Sequence, residues 1–129
     1  MDGDRYSVVL AHVDPARRAD LRRAFDGSRH FDVVGEATTG VDVLAEVRHK
    51  TPDAVVMGLL LPAMNALEVL PKIRASSPST VSLVFVTEPT ARLERIASDR
   101  GADLCEAEQL SDYLVARLAV ELDSRRRTR

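Results

Sequence analysis

The stretch Ala54-Val55-Val56-Met57 is apolar at every position, and a further strand, the fourth, reads as Val81 to Val86. A strand with one wet face alternates apolar and polar residues, so the first of these reads as a central strand covered on both faces. Helices must then lie on each side of a parallel sheet. The rest of the chain supplies them, because aliphatic runs alternate with helical patterns in five successive pairs.

The first strand is placed at about Ser7 to His12, and Asp14-Pro15 reads as the N-cap and first-turn proline of a helix closing near Gly27. Leu21, Ala24 and Phe25 form its inner face, with Arg17, Arg18, Arg22 and Arg23 solvated. A second strand at about Phe31 to Glu36 leads through Thr38-Thr39-Gly40 into a helix that turns Val43, Leu44 and Val47 inward. The third helix is predicted from about Asn65 to Ala75, with Leu67, Leu70 and Ile73 at helical spacing. Pro71 interrupts it. An interior proline removes a hydrogen bond and costs about 3 kcal/mol, which predicts a kink or an early, irregular end.

Pro89 suits the first turn of a fourth helix carrying Leu93, Ile96 and Ala97, and a short fifth strand follows Gly101-Ala102. Leu110, Leu114, Leu118 and Leu122 then recur at i, i+4 steps as the stripe of a last helix. Residues 1–124 read as one domain. Residues 125–129 read as a basic tail, either a frayed helix end or a linker stub.

At 129 residues the chain can bury a core without metals or disulfides. Cys105 is the lone cysteine, which excludes an intrachain disulfide and a cysteine-based zinc site and suggests a small buried hydrophobe. The formal net charge of −2 argues against a nucleic-acid clamp, and Arg125, Arg126, Arg127 and Arg129 alone would give only salt-sensitive, nonspecific affinity. No apolar run approaches the ~20 residues that cross a bilayer. The acidic, polar start lacks a signal-peptide pattern, so the expectation is a cytoplasmic protein with no membrane contact.

Five pieces carry a resemblance: Val8-Val9-Leu10 leading to Asp14-Pro15, Gly35-Glu36-Ala37 before Gly40, the stretch from Pro52 to Asn65, Val84-Phe85-Val86-Thr87, and Gly101-Ala102-Asp103. In this order and spacing the chain resembles the receiver domains of two-component response regulators over about Ser7 to Val120. The Gly-Glu-Ala piece is similar to NarL-type transcriptional regulators in particular. The resemblance implies an α/β, flavodoxin-like doubly wound (βα)5 fold, with a five-stranded parallel sheet in the order 2-1-3-4-5 and its site at the carboxyl ends of the strands.

Receivers phosphorylate themselves on an aspartate at the end of the third strand, and here Pro62, Met64 and Asn65 hold the register that places Gly58 at that acceptor. No aspartate lies between Asp53 and Asp99, so no shift of register restores one. The two acids that help hold magnesium map to His12 and Val13, and the hydroxyl that meets the phosphoryl group maps to Thr87. The lysine maps to Glu108, and the chain holds only Lys50 and Lys72. The aromatic switch maps to Cys105.

The resemblance therefore implies a degenerate phosphorylation pocket around His12, Val13, Gly58, Thr87 and Glu108, with no catalytic residue, metal or cofactor and no enzymatic activity. His12 either fills the vacated metal space, paired with Glu108 or Asp14, or is a half-exposed strand-end histidine. Thr87 equally suits a hydroxyl capping the following helix, and Asp14 an N-cap. Asp53, at the opposite end of its strand, is a poor substitute acceptor.

The leading expectation is a phosphorylation-independent signalling module that regulates transcription through a protein partner or homodimer. The face of the fourth helix, fifth strand and fifth helix would serve, or helices one and five; Arg92, Leu93, Arg95, Arg100, Asp112, Tyr113 and Arg117 are candidate contacts. A DNA-binding effector domain would lie outside this chain. The alternative is a small-ligand sensor using the emptied pocket, since glycine leaves room there and His12 could titrate near neutral pH.

Overall fold

The computed structural model describes residues 5–106 and 112–127. They run as β1 (Tyr6–Ala11), α1 (Pro15–Asp26), β2 (Phe31–Ala37), α2 (Gly40–Lys50), β3 (Ala54–Gly58), α3 (Ala66–Ser76), β4 (Val81–Val86), α4 (Ala91–Asp99), β5 (Ala102–Glu106) and α5 (Asp112–Arg127). One parallel sheet pairs the strands in the order β2-β1-β3-β4-β5, as expected. No helix among the described residues is long and apolar enough to cross a membrane.

Every residue of β3 and β4 is buried, and the period-2 alternation of a strand divides their side chains between two cores. Val8, Leu10, Val56, Leu83 and Phe85 pack with Leu21 and Phe25 of α1 and Leu114, Leu118 and Leu122 of α5. Val9, Ala11, Val55, Met57 and Val84 pack with Val43 and Val47 of α2, Leu70 and Ile73 of α3 and Ala97 of α4. Each valine, leucine, isoleucine, phenylalanine or methionine among them is worth about 1.5–3 kcal/mol when fully buried. The sheet is thus pinned from both sides.

Helix starts follow local chemistry. Asp14, Thr39, Asn65 and Thr90 each accept a backbone N–H of the first turn, and Asn65 and Glu68 complete a reciprocal capping box. Pro89 precedes the Thr90 cap instead of sitting in the first turn, and Thr90 takes the capping role considered for Thr87. Among the described residues α4 buries only Ala97 fully, with Leu93 and Ile96 half-buried. It is the least embedded helix with a complete description.

The predicted early end of α3 does not occur. The helix passes through Pro71 and continues to Ser76. Proline's missing N–H frees the carbonyl four residues back, and the Arg100 guanidinium donates to that Leu67 oxygen at 2.7 Å. Leu67 itself is half-buried, while Ala66 and Val69 join Leu70 and Ile73 inside.

Residue 124 falls inside α5, which continues to Arg127. Arg126 lies over the Tyr6 ring, 4.7 Å from its centroid, and Arg125 pairs with Glu121 at 3.5 Å. Arg126 is thus held against the body of the domain, while Arg125 pairs within its own helix. Leu110, from the predicted stripe, lies outside the described residues.

The connection from β3 to α3 is tightly tied. Leu59 N–H donates to Phe85 O, Ala66 N–H to Leu59 O, and Gly40 N–H to Pro62 O at 3.2 Å. A Cβ on Gly40 would sit 1.8 Å from Met64 O, so α2 can start here only without a side chain. Ala63 takes a left-handed φ of 68°, which costs an alanine about 1–2 kcal/mol. We expect Gly40→Ala to destabilise the domain by more than about 2 kcal/mol in urea unfolding. Ala63→Gly should stabilise it by about 0.5–1 kcal/mol in the same assay, against the usual sign for such a change.

Candidate functional site

Three strands end at one edge of the sheet. β1 hands over to His12, β3 ends on Gly58 and β4 hands over to Thr87. These residues share a cavity of about 410 Å³ with Val13, Asp14, Arg17, Leu59, Leu60, Phe85, Val86, Glu88 and Leu93. Four of the five positions expected at the pocket, His12, Val13, Gly58 and Thr87, thus meet. Glu108 lies outside the described residues, and so do the side chains of Asp112 and Tyr113.

His12 sets the character of this edge. Its ring stacks on Phe85 with centroids 5.3 Å apart and planes 12° from parallel. Its Nδ1 accepts the Asp14 N–H at 2.9 Å, which leaves the neutral ring its proton on Nε2. The anticipated pairing with Asp14 therefore runs through backbone and not through the carboxylate, which instead accepts the Ala16 N–H at 2.9 Å. Burial holds the imidazole below its ordinary pKa; Asp14 opposes that shift, and the cations Arg17 and Arg18 add to it.

Gly58 makes this arrangement fit. A Cβ at residue 58 would lie 2.9 Å from His12 Cδ2 and 3.5 Å from Phe85 Cε2. The imidazole thus stands where any side chain at 58 would have to project.

Arg18 fixes the residue from behind, donating to His12 O at 2.8 Å and pairing with Glu36 at 3.3 Å. Arg22 also reaches Glu36, at 2.7 Å. These ties, and the stacking partner Phe85, were not read from the sequence, which assigned the arginines to solvent. The i, i+4 spacing of Arg18 and Arg22 beside a strand-end glutamate was the available signal.

Magnesium, the ion of the resembled site, takes about six oxygen ligands in a near-octahedral shell. The residues at this edge do not fit it. His12 turns its ring to Phe85 and its Nδ1 to backbone, Val13 and Gly58 offer no side-chain oxygen, and the Asp14 carboxylate caps α1. The exposed Glu88 is the other carboxylate on the described wall.

Cys105 does not line the cavity. It is 4% exposed in β5, paired with Phe85 across the ladder, and burial raises its thiol pKa, as suits an inert core cysteine. Asp53 lies at the far edge of the sheet, where its carboxylate accepts the Ser7 N–H at 2.8 Å. A larger cavity of about 690 Å³ opens beside it, around Tyr6, Ser77 and Arg126.

The lowered pKa has a defined sign. A histidine that binds its proton less readily in the folded state stabilises fully above its unfolded pKa of about 6.5 and loses that contribution as pH falls below it. We expect NMR titration to place the His12 midpoint below about 6.5. His12→Asn, which keeps an acceptor for Asp14 N–H but cannot titrate, should show a smaller stability loss than wild type between about pH 7.5 and pH 5.

Residues 8–105 match the response regulator receiver domain family. BvgA of Bordetella pertussis is 30% identical over 118 residues, covering 89% of this chain and 56% of that protein. The nitrate/nitrite response regulator protein NarL of Escherichia coli is 30% identical over 97 residues, covering 75% of this chain and 45% of that one. The chain spans about half the length of these relatives. Among solved structures, a two-component response regulator of the LuxR family from Aurantimonas superposes with a TM-score of 0.81 at 24% identity, over 93% of this chain and 86% of that one. That likeness shows the fold, and the matched family shows the lineage: the chain belongs to the response regulator receiver domain family.

Proposed function

We propose that this domain is an atypical receiver that relays its signal without phosphorylation, through contacts with a protein partner or a second copy of itself. One observation carries the reading. The His12 ring stands 2.9 Å from where a Cβ at residue 58 would lie, so the space an acceptor side chain would use is filled by a residue that neither accepts phosphate stably nor holds magnesium there. Gly58 offers no nucleophile, and phosphoryl transfer depends on charge-neutralising ligands that His12 and Val13 do not supply. The domain has no enzymatic role in this reading.

The similarity to the transcription regulator BvgA supports a role in transcription, with a DNA-binding effector domain outside this chain. Two faces suit the contact. The first runs over α4, β5 and α5, where α4 keeps Leu93 and Ile96 only half-buried beside the exposed Arg92 and Arg95, and α5 presents the exposed Arg117. The second joins α1 and α5, whose Val120 is 67% exposed. A second reading, a small-ligand sensor, is favoured by the cavity that His12, Gly58 and Thr87 share.

Incubation with acetyl phosphate and magnesium should leave the intact mass unchanged, and a phosphate adduct would overturn the reading. Light scattering after size exclusion should show a concentration-dependent dimer or, with a partner, a complex; a monomer that binds nothing would count against the contact role. Gly58→Asp should also remain unphosphorylated and should cost about 1–3 kcal/mol, because the new side chain displaces the imidazole. Adding His12→Ala should recover part of that loss, a non-additivity that urea unfolding reads directly.

A further inference from the structure

The cavity at the carboxyl edge of the sheet is walled on one side by apolar groups. Val13, Leu59, Leu60, Phe85, Val86 and Leu93 line it. Val13 is 46% and Leu60 76% exposed, so two of the four large hydrophobic side chains most exposed among the described residues stand at this one cavity. Apolar surface concentrated at the rim of a cavity is the pattern of a binding site more than of a solvated edge. At about 410 Å³ the space falls within the ~300–1,000 Å³ of small-molecule pockets.

The polar groups are mainly donors. His12 keeps its proton on Nε2 because Nδ1 accepts from Asp14 N–H, and Thr87 contributes an exposed hydroxyl. Arg17 lines the cavity as well. Its neighbours on α1 are paired, Arg18 with Glu36, Arg22 with Asp26 and Glu36, and Arg23 with Asp20, whereas Arg17 forms no ion pair among the described residues. Of the two carboxylates on the wall, Asp14 is committed to capping α1, and Glu88 stands exposed at the mouth.

The geometry points to a small monocarboxylate with an apolar body as the ligand of this cavity. The acid would meet Arg17 and the His12 and Thr87 donors, while its hydrocarbon or aromatic part would cover Val13, Leu60 and Leu93. An anion at Arg17 gains a charge-assisted hydrogen bond that the paired arginines of α1 cannot offer. A bare inorganic anion would gain nothing from the apolar wall. This assignment rests on the reading that no phosphoryl group is attached at this edge.

The test titrates the full 129-residue chain with 3-phenylpropionate, 3-phenylpropanol and inorganic phosphate, followed by backbone amide shifts at Gly58, Leu60 and Thr87. The acid should bind saturably and about tenfold more tightly than the alcohol, the difference one charge-assisted bond makes. Arg17→Gln, an exposed change that leaves the core intact, should remove most of the preference for the acid over the alcohol. Leu60→Ser should weaken both. No saturable shift with the acid, equal shifts with phosphate, or indifference to both substitutions would overturn the assignment. The acetyl phosphate assay separates the two readings: an adduct sinks the phosphorylation-free reading, and no adduct with no acid binding sinks only the ligand.

Discussion

Burial of β3 and β4 on both faces is the constraint from which the rest of the architecture follows. A strand with no wet side needs a layer of helices above and below, and its alternating side chains then feed two separate cores. Because all five strands run parallel, their carboxyl ends and the loops that leave them gather at one edge. That edge is where His12, Gly58 and Thr87 meet.

At that edge a single missing atom decides the packing. Without a Cβ at residue 58, the His12 ring can lie flat on Phe85, and with the ring there no longer side chain at 58 fits. The two residues therefore depend on each other. The Arg18 guanidinium then holds the His12 carbonyl and the Asp14 N–H its Nδ1, so backbone and ring are each tied. Among the described residues the result is a cavity lined by hydrogen-bond donors and apolar side chains.

Several local rules were bent and then satisfied by tertiary contacts. Pro71 sits inside α3 because Arg100, from the end of α4, supplies the donor that the Leu67 carbonyl lost. Ala63 holds a left-handed conformation in a loop clamped by Pro62, Gly40 and Leu59. The rule that an interior proline ends a helix describes the isolated helix, and the neighbouring guanidinium changes its premise. The same holds for Arg125 and Arg126, which read as a solvated tail but lie on α5 against Glu121 and Tyr6.

The order of strands and helices, the buried faces of α1 and α2 and the cap at Asp14 were legible in the sequence, because periodicity and capping are properties of a few neighbouring residues. So was the gathering of His12, Val13, Gly58 and Thr87, once motif spacing set the register. What those residues do to one another was not. The stacking of His12 on Phe85 and the apolar rim around Leu60 join segments far apart in the chain, and the hold of Arg18 on the His12 carbonyl depends on how α1 folds back on the end of β1. Local pattern determined which elements form; only packing in three dimensions decided how the side chains at their ends fill the shared space, because that depends on volumes and donors contributed by strands that are not neighbours in sequence.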